Sequence, residues 1–366
     1  MASNKNQHFV PRCYLRPFTS DANQKTINLY NIDRLSSIYG APIKSQCSRD
    51  YFYGSDDRLE KAIQAVEGGY AGELPELLQY RTPIGPKARV ILPRFWFLQH
   101  TRTEAASQRL VSMSIDADSL IGHESESFKV EIKQAVLFAL RAYAESIDAL
   151  DDLKIVLVKN CTSTPFITSD DPAIIVNRWL HNNKLVMGPG YGVAAAGLIC
   201  ILPLSPTVCC VMYDGDIYSI QNSDNWIEAR STEDVDSINN MQYLNCAANL
   251  YFHDKNDSSL FRLLRERTHA IRPEARHRLH YAIKSKSENG QSTYVVVDKA
   301  SVPDHTEALI HMETIRISPK QWPHFLKWRP SGFYYSNDTG VGHVRRSHAL
   351  SRLPNGRPYS KRRTGH

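Results

Sequence analysis

The spacing of hydrophobic positions changes along the chain, and each change predicts a different kind of element. Leu59, Ala62, Ile63, Val66 and Tyr70 recur every three or four residues behind Asp56 and Asp57, which predicts an amphipathic helix with an acidic start. After Pro86, the run 88–112 carries Val90, Ile91, Phe95, Leu98, Ala105 and Leu110; it reads as helical, with Pro93 either starting or kinking it. A third helix is expected within 124–148, from Val130, Ile132, Val136, Leu137, Leu140 and Tyr143. The pattern then shortens. Lys154–Lys159 (KIVLVK), 198–204, 207–213 and Ile217–Ile220 are short apolar runs separated by Ser, Asp, Asn and Pro, the pattern of neighbouring strands with tight turns. Helices are expected again at 232–249 and 258–271, a strand at 293–297, and a short helix from Ser318-Pro319 through Leu326.

Helices and strands are segregated rather than alternating. The expected class is therefore α+β, a helical region packed on a mostly antiparallel sheet, with a mixed C-terminal extension. The divisions read as 1–253 for the main domain (helical 56–150, strand-rich 151–253), 254–340 for the extension, and 341–366 for a basic, disordered tail. The 29 residues from Leu185 to Tyr213 include no charge, but Pro189, Pro203, Pro206 and four glycines interrupt them, which favours strands over a membrane span.

Composition adds constraints. The 366 residues include 42% hydrophobic and 22% charged positions, ordinary for a globular chain. The net charge of +6 is local: 341–366 holds seven Lys or Arg and no acid, so the other 340 residues sum to −1. Seven cysteines with no Cys-x-x-Cys pair exclude a zinc ribbon and suit a reducing, cytoplasmic compartment. Residues 1–7 are polar, unlike a secretory signal. The phosphate loop of nucleoside triphosphatases, the dinucleotide fingerprint, His-Glu-x-x-His and Gly-x-Ser-x-Gly are all missing, which weighs against kinases, simple dehydrogenases, zincins and common hydrolases.

Four motifs stand out. They are Gln7-His8-Phe9-Val10-Pro11 with Tyr14-Leu15 and Phe18; Gln99 with Arg102-Thr103; Ile167-Thr168-Ser169-Asp170-Asp171-Pro172; and Leu202-Pro203-Leu204-Ser205-Pro206. A looser fifth is Asn240 with Ala247 and Tyr251. In order and content they resemble the domain of unknown function family 4238, over roughly residues 5–255, most specifically in the His-x-x-Pro-x-x-Tyr-Leu opening. The sequence departs from the pattern in the His after Gln99 and in having two acids before Pro172. The resemblance bears on fold and boundaries and implies no activity.

His8, with Arg12 nearby, is a candidate proton donor or acceptor, or else a structural histidine held by carbonyls. Asp170 and Asp171 at a strand end could hold Mg²⁺ through carboxylate oxygens, or could simply form a turn. Arg102 could clamp a phosphate with its fork, or pair with one of those aspartates. His100, two residues before it, belongs on another face of the helix. For polyanion contact the candidates are Arg12, Arg262, Arg265, Lys327, Arg345 and Arg346; the basic stretch 262–278 and the alternation of Trp322, Phe325 and Trp328 with Lys320, Lys327 and Arg329 support them. A solvated helix face and a small aromatic core are the plainer alternatives.

Three functions follow as expectations. The first is a phosphodiester-cleaving enzyme acting on RNA or DNA, a nuclease of the toxic or antiphage defence kind in a bacterial cytoplasm. Its His8, Arg102, Asp170 and Asp171 would be catalytic. The second is a non-catalytic module that binds nucleic acid or protein. The third is a small-molecule enzyme with an interdomain pocket.

Overall fold

The structure is a computed structural model describing residues 5–121, 130–181, 190–288, 291–303, 306–339, 342–350 and 358–365. Asp56 accepts the Arg58 backbone N–H and opens the first long helix, Asp57–Leu78 (α1). Pro86 begins Pro86–Arg102 (α2) at a position where a missing N–H costs nothing, and Pro93 lies inside that helix. Thr103 is extended, at φ −65° and ψ 156°, and ends α2. Its hydroxyl accepts the Ala106 N–H and so starts Glu104–Ile121 (α3). Ile132–Glu145 (α4) completes the layer, opened by a reciprocal Glu131–Gln134 cap. The run 88–112 is thus two helices with one extended residue between them. Of the expected helix 124–148, residues 124–129 lie outside the described residues.

The helices cover a five-stranded sheet. Its order is Trp226–Ala229 (β10), Lys154–Asn160 (β5), Val208–Tyr213 (β9), Ile199–Ser205 (β8) and Ile174–Val176 (β7). Only the β10–β5 pair is parallel. Side chains alternate between two cores, as strand geometry requires. Leu157, Cys200, Leu202, Cys210 and Met212 join the helical layer. Val156, Val158, Ile201, Cys209 and Val211 join Val235, Ile238, Met241 and Leu244 of the helix Thr232–Asn245 (α5) on the other face. A sheet buried on both faces needs continuous apolar strands, which accounts for the uncharged run through Tyr213. Among the described residues, no helix is long and apolar enough to cross a membrane.

A second, antiparallel sheet has the order Ser36–Pro42 (β3), Thr26–Asn31 (β2), Asn249–Phe252 (β11) and Thr168–Ser169 (β6). The short strands Asn6–His8 (β1) and Ser48–Asp50 (β4) pair beside it in sequence. The class is α+β with mostly antiparallel pairing, as the segregation of elements implied.

The extension departs from expectation in three places. Helix Ser258–Thr268 (α6) and a 3-10 turn at His269–Ile271 fill the expected 258–271, but the basic stretch 262–278 runs on past the helix, and the chain continues as His277–Glu288 (β12), paired with Gln291–Val296 (β13) and Ala308–Thr314 (β14). No helix forms over Ser318–Leu326. Leu326 is instead buried, and Trp322, Phe325 and Trp328 pack on the α5-side core. The segment 341–366 is folded wherever it is described, not a loose tail: Phe333–Ser336 (β15) pairs with His343–Val344 (β16) and with Ser360–Arg363 (β17).

Arg345 shows why. Its side chain is 2% exposed. It donates to both oxygens of Asp152 at 3.1 and 2.9 Å and to the carbonyls of Val193, Ala195 and Ala149. The guanidinium is therefore an internal brace and not a polyanion contact. Arg345→Met is expected to lower stability by about 3 kcal/mol, because it removes the charge partner of Asp152, which keeps only the Ser347 hydroxyl, and the donors to the Val193 and Ala195 carbonyls. A denaturant midpoint unchanged from the wild type would refute the brace.

Candidate functional site

The N-terminal motif builds a cavity by fixing its own backbone. Gln7 is buried; its Nε2 donates to the Gly54 carbonyl at 2.9 Å, and its Oε1 accepts the Tyr53 N–H at 2.6 Å. The Tyr53 hydroxyl donates to the His8 carbonyl at 2.8 Å, and Gln99 Nε2 donates to the Phe9 carbonyl at 2.8 Å. With both neighbours pinned, the half-buried His8 ring lines a cavity of about 270 Å³ together with Arg12, Cys13, Arg16, Glu60 and Glu67. His8 Nε2 is buried and has no hydrogen-bond partner among the described residues. Burial, then the Arg12 charge, lowers the His8 pKa, while Glu67 and the Ile43 and Lys44 carbonyls pull the other way. Cys13 shares the cavity, but burial pushes its thiol up to about 11, so it is not a thiolate nucleophile at neutral pH.

Arg102 is next to this cavity but does not open onto it. It is fully buried. It donates to Glu67 Oε1 at 2.5 Å and to Gln99 Oε1 at 2.8 and 3.1 Å. The predicted phosphate clamp is instead the internal partner of Glu67, and neither aspartate pairs with it. Tyr14, also from the N-terminal motif, reaches Thr168 Oγ1 at 2.6 Å and donates to the Pro203 carbonyl at 2.8 Å. Four of the sequence motifs thus meet one another in the interior.

Asp170 and Asp171 form a different centre and share no hydrogen-bonding partner with His8. Asp170 accepts three backbone N–H groups, from Ala247, Ala248 and Asn249, at 2.8 to 2.9 Å. Burial raises its pKa to about 6 against the pull of those amides. This cradle also explains why α5 stops at Asn245 and does not run to 249. Asp171 accepts from Thr103 Oγ1 and from Arg109 Nη1, each at 2.8 Å, and Arg109 holds its pKa down. Both carboxylates are thus committed to protein donors, and as a Mg²⁺ pair they do not fit. Among the described residues, no three His, Cys, Asp or Glu side chains come together to hold a metal.

His100 faces this second centre, away from Arg102, as their two-residue spacing requires. Its Nδ1 lies 3.1 Å from the Ala173 carbonyl and its Nε2 3.1 Å from Arg316 Nη1. The arrangement suits a neutral ring that donates through Nδ1 and accepts through Nε2. Burial, then Arg316 and Arg109, lowers its pKa to about 3.

The polyanion candidates scatter. Arg12 lines the His8 cavity. Arg262 and Arg265 are exposed on α6, and Lys327 and Arg346 are exposed in the extension. The aromatic alternation there is core: Trp328 and Trp322 lie under Arg178, at 4.9 and 6.0 Å. Arg272 and Arg276 do not extend a basic helix; they donate to the carbonyls of Asn245, Cys246 and Ala247 at the end of α5. Glu67, Arg109 and Arg316 escaped the sequence reading, and Arg276 entered it only as part of the basic stretch 262–278. The one available signal was Arg109, two helical turns after Arg102 but beyond the unforeseen break at Thr103.

The fold is thus an α+β domain whose sequence motifs lock together around a histidine-lined cavity and a paired-aspartate junction. Residues 6–256 match the family model described as Protein of unknown function (DUF4238), and the chain belongs to that family. No curated protein and no solved structure matches it.

Two measurements probe the second centre. Asp170→Asn is expected to cost about 2–3 kcal/mol, since an amide cannot accept all three N–H groups. Equal urea midpoints for variant and wild type would rule out the cradle. His100 stays neutral when folded but takes a proton from pH 6.5 downward when unfolded. Its contribution is therefore intact above about 6.5 and is lost progressively as the pH falls toward 3. Stability should drop by up to about 1.4 kcal/mol per pH unit across that window. The slope should flatten in His100→Gln; an identical slope would remove His100 as its source.

Proposed function

We propose that this chain cleaves a phosphodiester bond in RNA, with His8 as the general base. The observation that carries the reading is the buried, unpartnered Nε2 of a histidine that lines a cavity with two exposed arginines, Arg12 and Arg16. With its pKa lowered by burial and Arg12, His8 is a free base at neutral pH. It would take the proton of the 2′-hydroxyl as that oxygen attacks phosphorus; the P–O5′ bond breaks, leaving a 2′,3′-cyclic phosphate and a 5′-oxygen that takes its proton from water. Arg12 and Arg16 would meet the non-bridging phosphate oxygens as charge builds on them. Glu67, held by Arg102, would orient the protonated ring through its charge. RNA is preferred to DNA because its 2′-hydroxyl supplies the nucleophile within the substrate, whereas Asp170 and Asp171 are committed elsewhere. The reading extends to a cytoplasmic, toxic or antiphage role, in which RNA would be an abundant target.

A binding module without catalysis is the second reading. It is favoured by how completely Tyr14, Gln99, Asp170 and Asp171 are used up in holding the fold.

Labelled RNA, the same RNA with a 2′-deoxy residue at the cut site, and DNA separate the two readings. Cleavage of RNA alone, equal with Mg²⁺ and with EDTA, is expected. His8→Gln should slow it by at least ~100-fold, the scale of general-base catalysis. Arg12→Ala should act chiefly on kcat, since its charge is used as charge builds on the phosphate. Intact RNA, or undiminished cleavage by a folded His8→Gln protein, would sink the proposal. Salt-sensitive retention of uncut RNA would point to the binding module.

A further inference from the structure

Three arginines from distant parts of the chain converge where the family domain meets the extension. Arg109 comes from α3, Arg276 from the turn before β12, and Arg316 from the segment after β14. With His100, Asn245 and Thr314 they line one cleft. Arg276 and Arg316 lie beyond the family match, which ends at residue 256, while His100, Arg109 and Asn245 lie within it.

The charges in the cleft do not balance. Arg109 is paired with Asp171 at 2.8 Å. Among the described residues, neither Arg276 nor Arg316 has a carboxylate within ion-pairing distance. Arg276 donates to the Asn245 carbonyl at 2.6 Å, and Arg316 to the Tyr191 carbonyl at 3.3 Å and to His100 at 3.1 Å. Three guanidiniums therefore face one carboxylate, a surplus of two positive charges. Burial, together with repulsion from Arg109, lowers both unpaired guanidiniums to about 10. The neighbouring His100 is neutral and gives no relief. An uncompensated cation cluster is costly inside a protein unless an anion joins it.

We propose that Arg109, Arg276 and Arg316 form a binding site for a phosphate dianion, free or as a monoester, seated between the family domain and its extension. Two surplus charges match a dianion, and guanidinium forks match phosphate oxygens in pairs. Each of the three arginines keeps N–H groups that bond to no described protein acceptor. The free volume of the cleft is only ≈ 10 Å³, so phosphate entry requires the half-buried Arg276 and Arg316 side chains to move apart. The site is independent of the His8 cavity.

The test is calorimetric titration of the full chain with inorganic phosphate in chloride buffer, with AMP and adenosine as further arms. One saturable phosphate site is expected, with a melting temperature that rises with phosphate. AMP binding without adenosine binding would extend the site to monoesters. Arg276→Gln and Arg316→Gln should each weaken phosphate at least tenfold while leaving the phosphate-free melting temperature unchanged or higher, because each removes an unbalanced charge. His8→Gln should bind phosphate as the wild type does, so a failure of the cleavage reading leaves this site standing. No saturable phosphate binding by the wild-type chain would overturn the proposal, and so would adenosine binding as tight as AMP. Binding that survives in whichever arginine variants fold would overturn it equally.

Discussion

Two adjacent carboxylates hold the layers of this protein together. Asp170 takes the three amides that turn the chain from α5 into β11, and Asp171 takes the hydroxyl that starts α3 and the guanidinium two turns along it. They leave β6 in one direction and fix the helical layer, the second sheet and the end of α5 from a single dipeptide. Thr103 is the complementary device. Because it is extended, Arg102 on one side of it points to Glu67 and Gln99, while Thr103 itself and Arg109 point to Asp171. The break of one residue separates the His8 cavity from the aspartate junction.

This division bears on how the family's motifs are to be understood. Most of their polar atoms bond to one another or to backbone: Gln7 to Tyr53 and Gly54, Tyr14 to Thr168 and Pro203, Gln99 to Phe9. Groups so fully satisfied specify a fold. Among the described residues they leave buried and unpartnered the His8 Nε2 and Asn240 Oδ1, while free guanidinium N–H groups lie beside His8 and at the junction with the extension. The neutral body and the clustered basic residues of the sequence are compatible with this. Several of those basic residues are internal braces, and the cations that line clefts come in small groups, Arg12 with Arg16 and Arg109 with Arg276 and Arg316.

The elements that packing dictates were legible in the sequence. The helix at Asp57–Leu78 had both an apolar stripe and a cap, and β5, β8 and β9 had unbroken apolar runs because both sheet faces are buried. The break at Thr103 was hidden, since a threonine among helix formers carries no signal until Asp171 is known to bond it. Ser318-Pro319 had the chemistry of a helix start, but Trp322 and Trp328 find more burial under Arg178 and against the α5-side core than a helix would give them. Charge misled for the same reason. Arg345 reads as one of a basic cluster, and only its partners, more than 140 residues away, reveal that it is buried. Of the site, His8 and Arg12 could be read from one short motif, whereas Glu67 and the three converging arginines depend on contacts that no local pattern encodes.

The second sheet sets the order in which this chain can fold. β2 can pair at once with β3, five residues downstream, but its other edge waits for β11, where Asn31 meets Asn249 across a separation of 218 residues. Closing so long a loop is entropically expensive before native contacts reward it. The five-stranded sheet, with its tight β8–β9 connection, has no such wait. Until the loop closes, Ile27, Leu29 and their neighbours form an open, apolar edge of the kind that captures other strands. The growing chain is therefore most exposed to self-association while β2 waits for β11, and a chaperone that shields that edge would raise the yield of folded protein without altering its final stability.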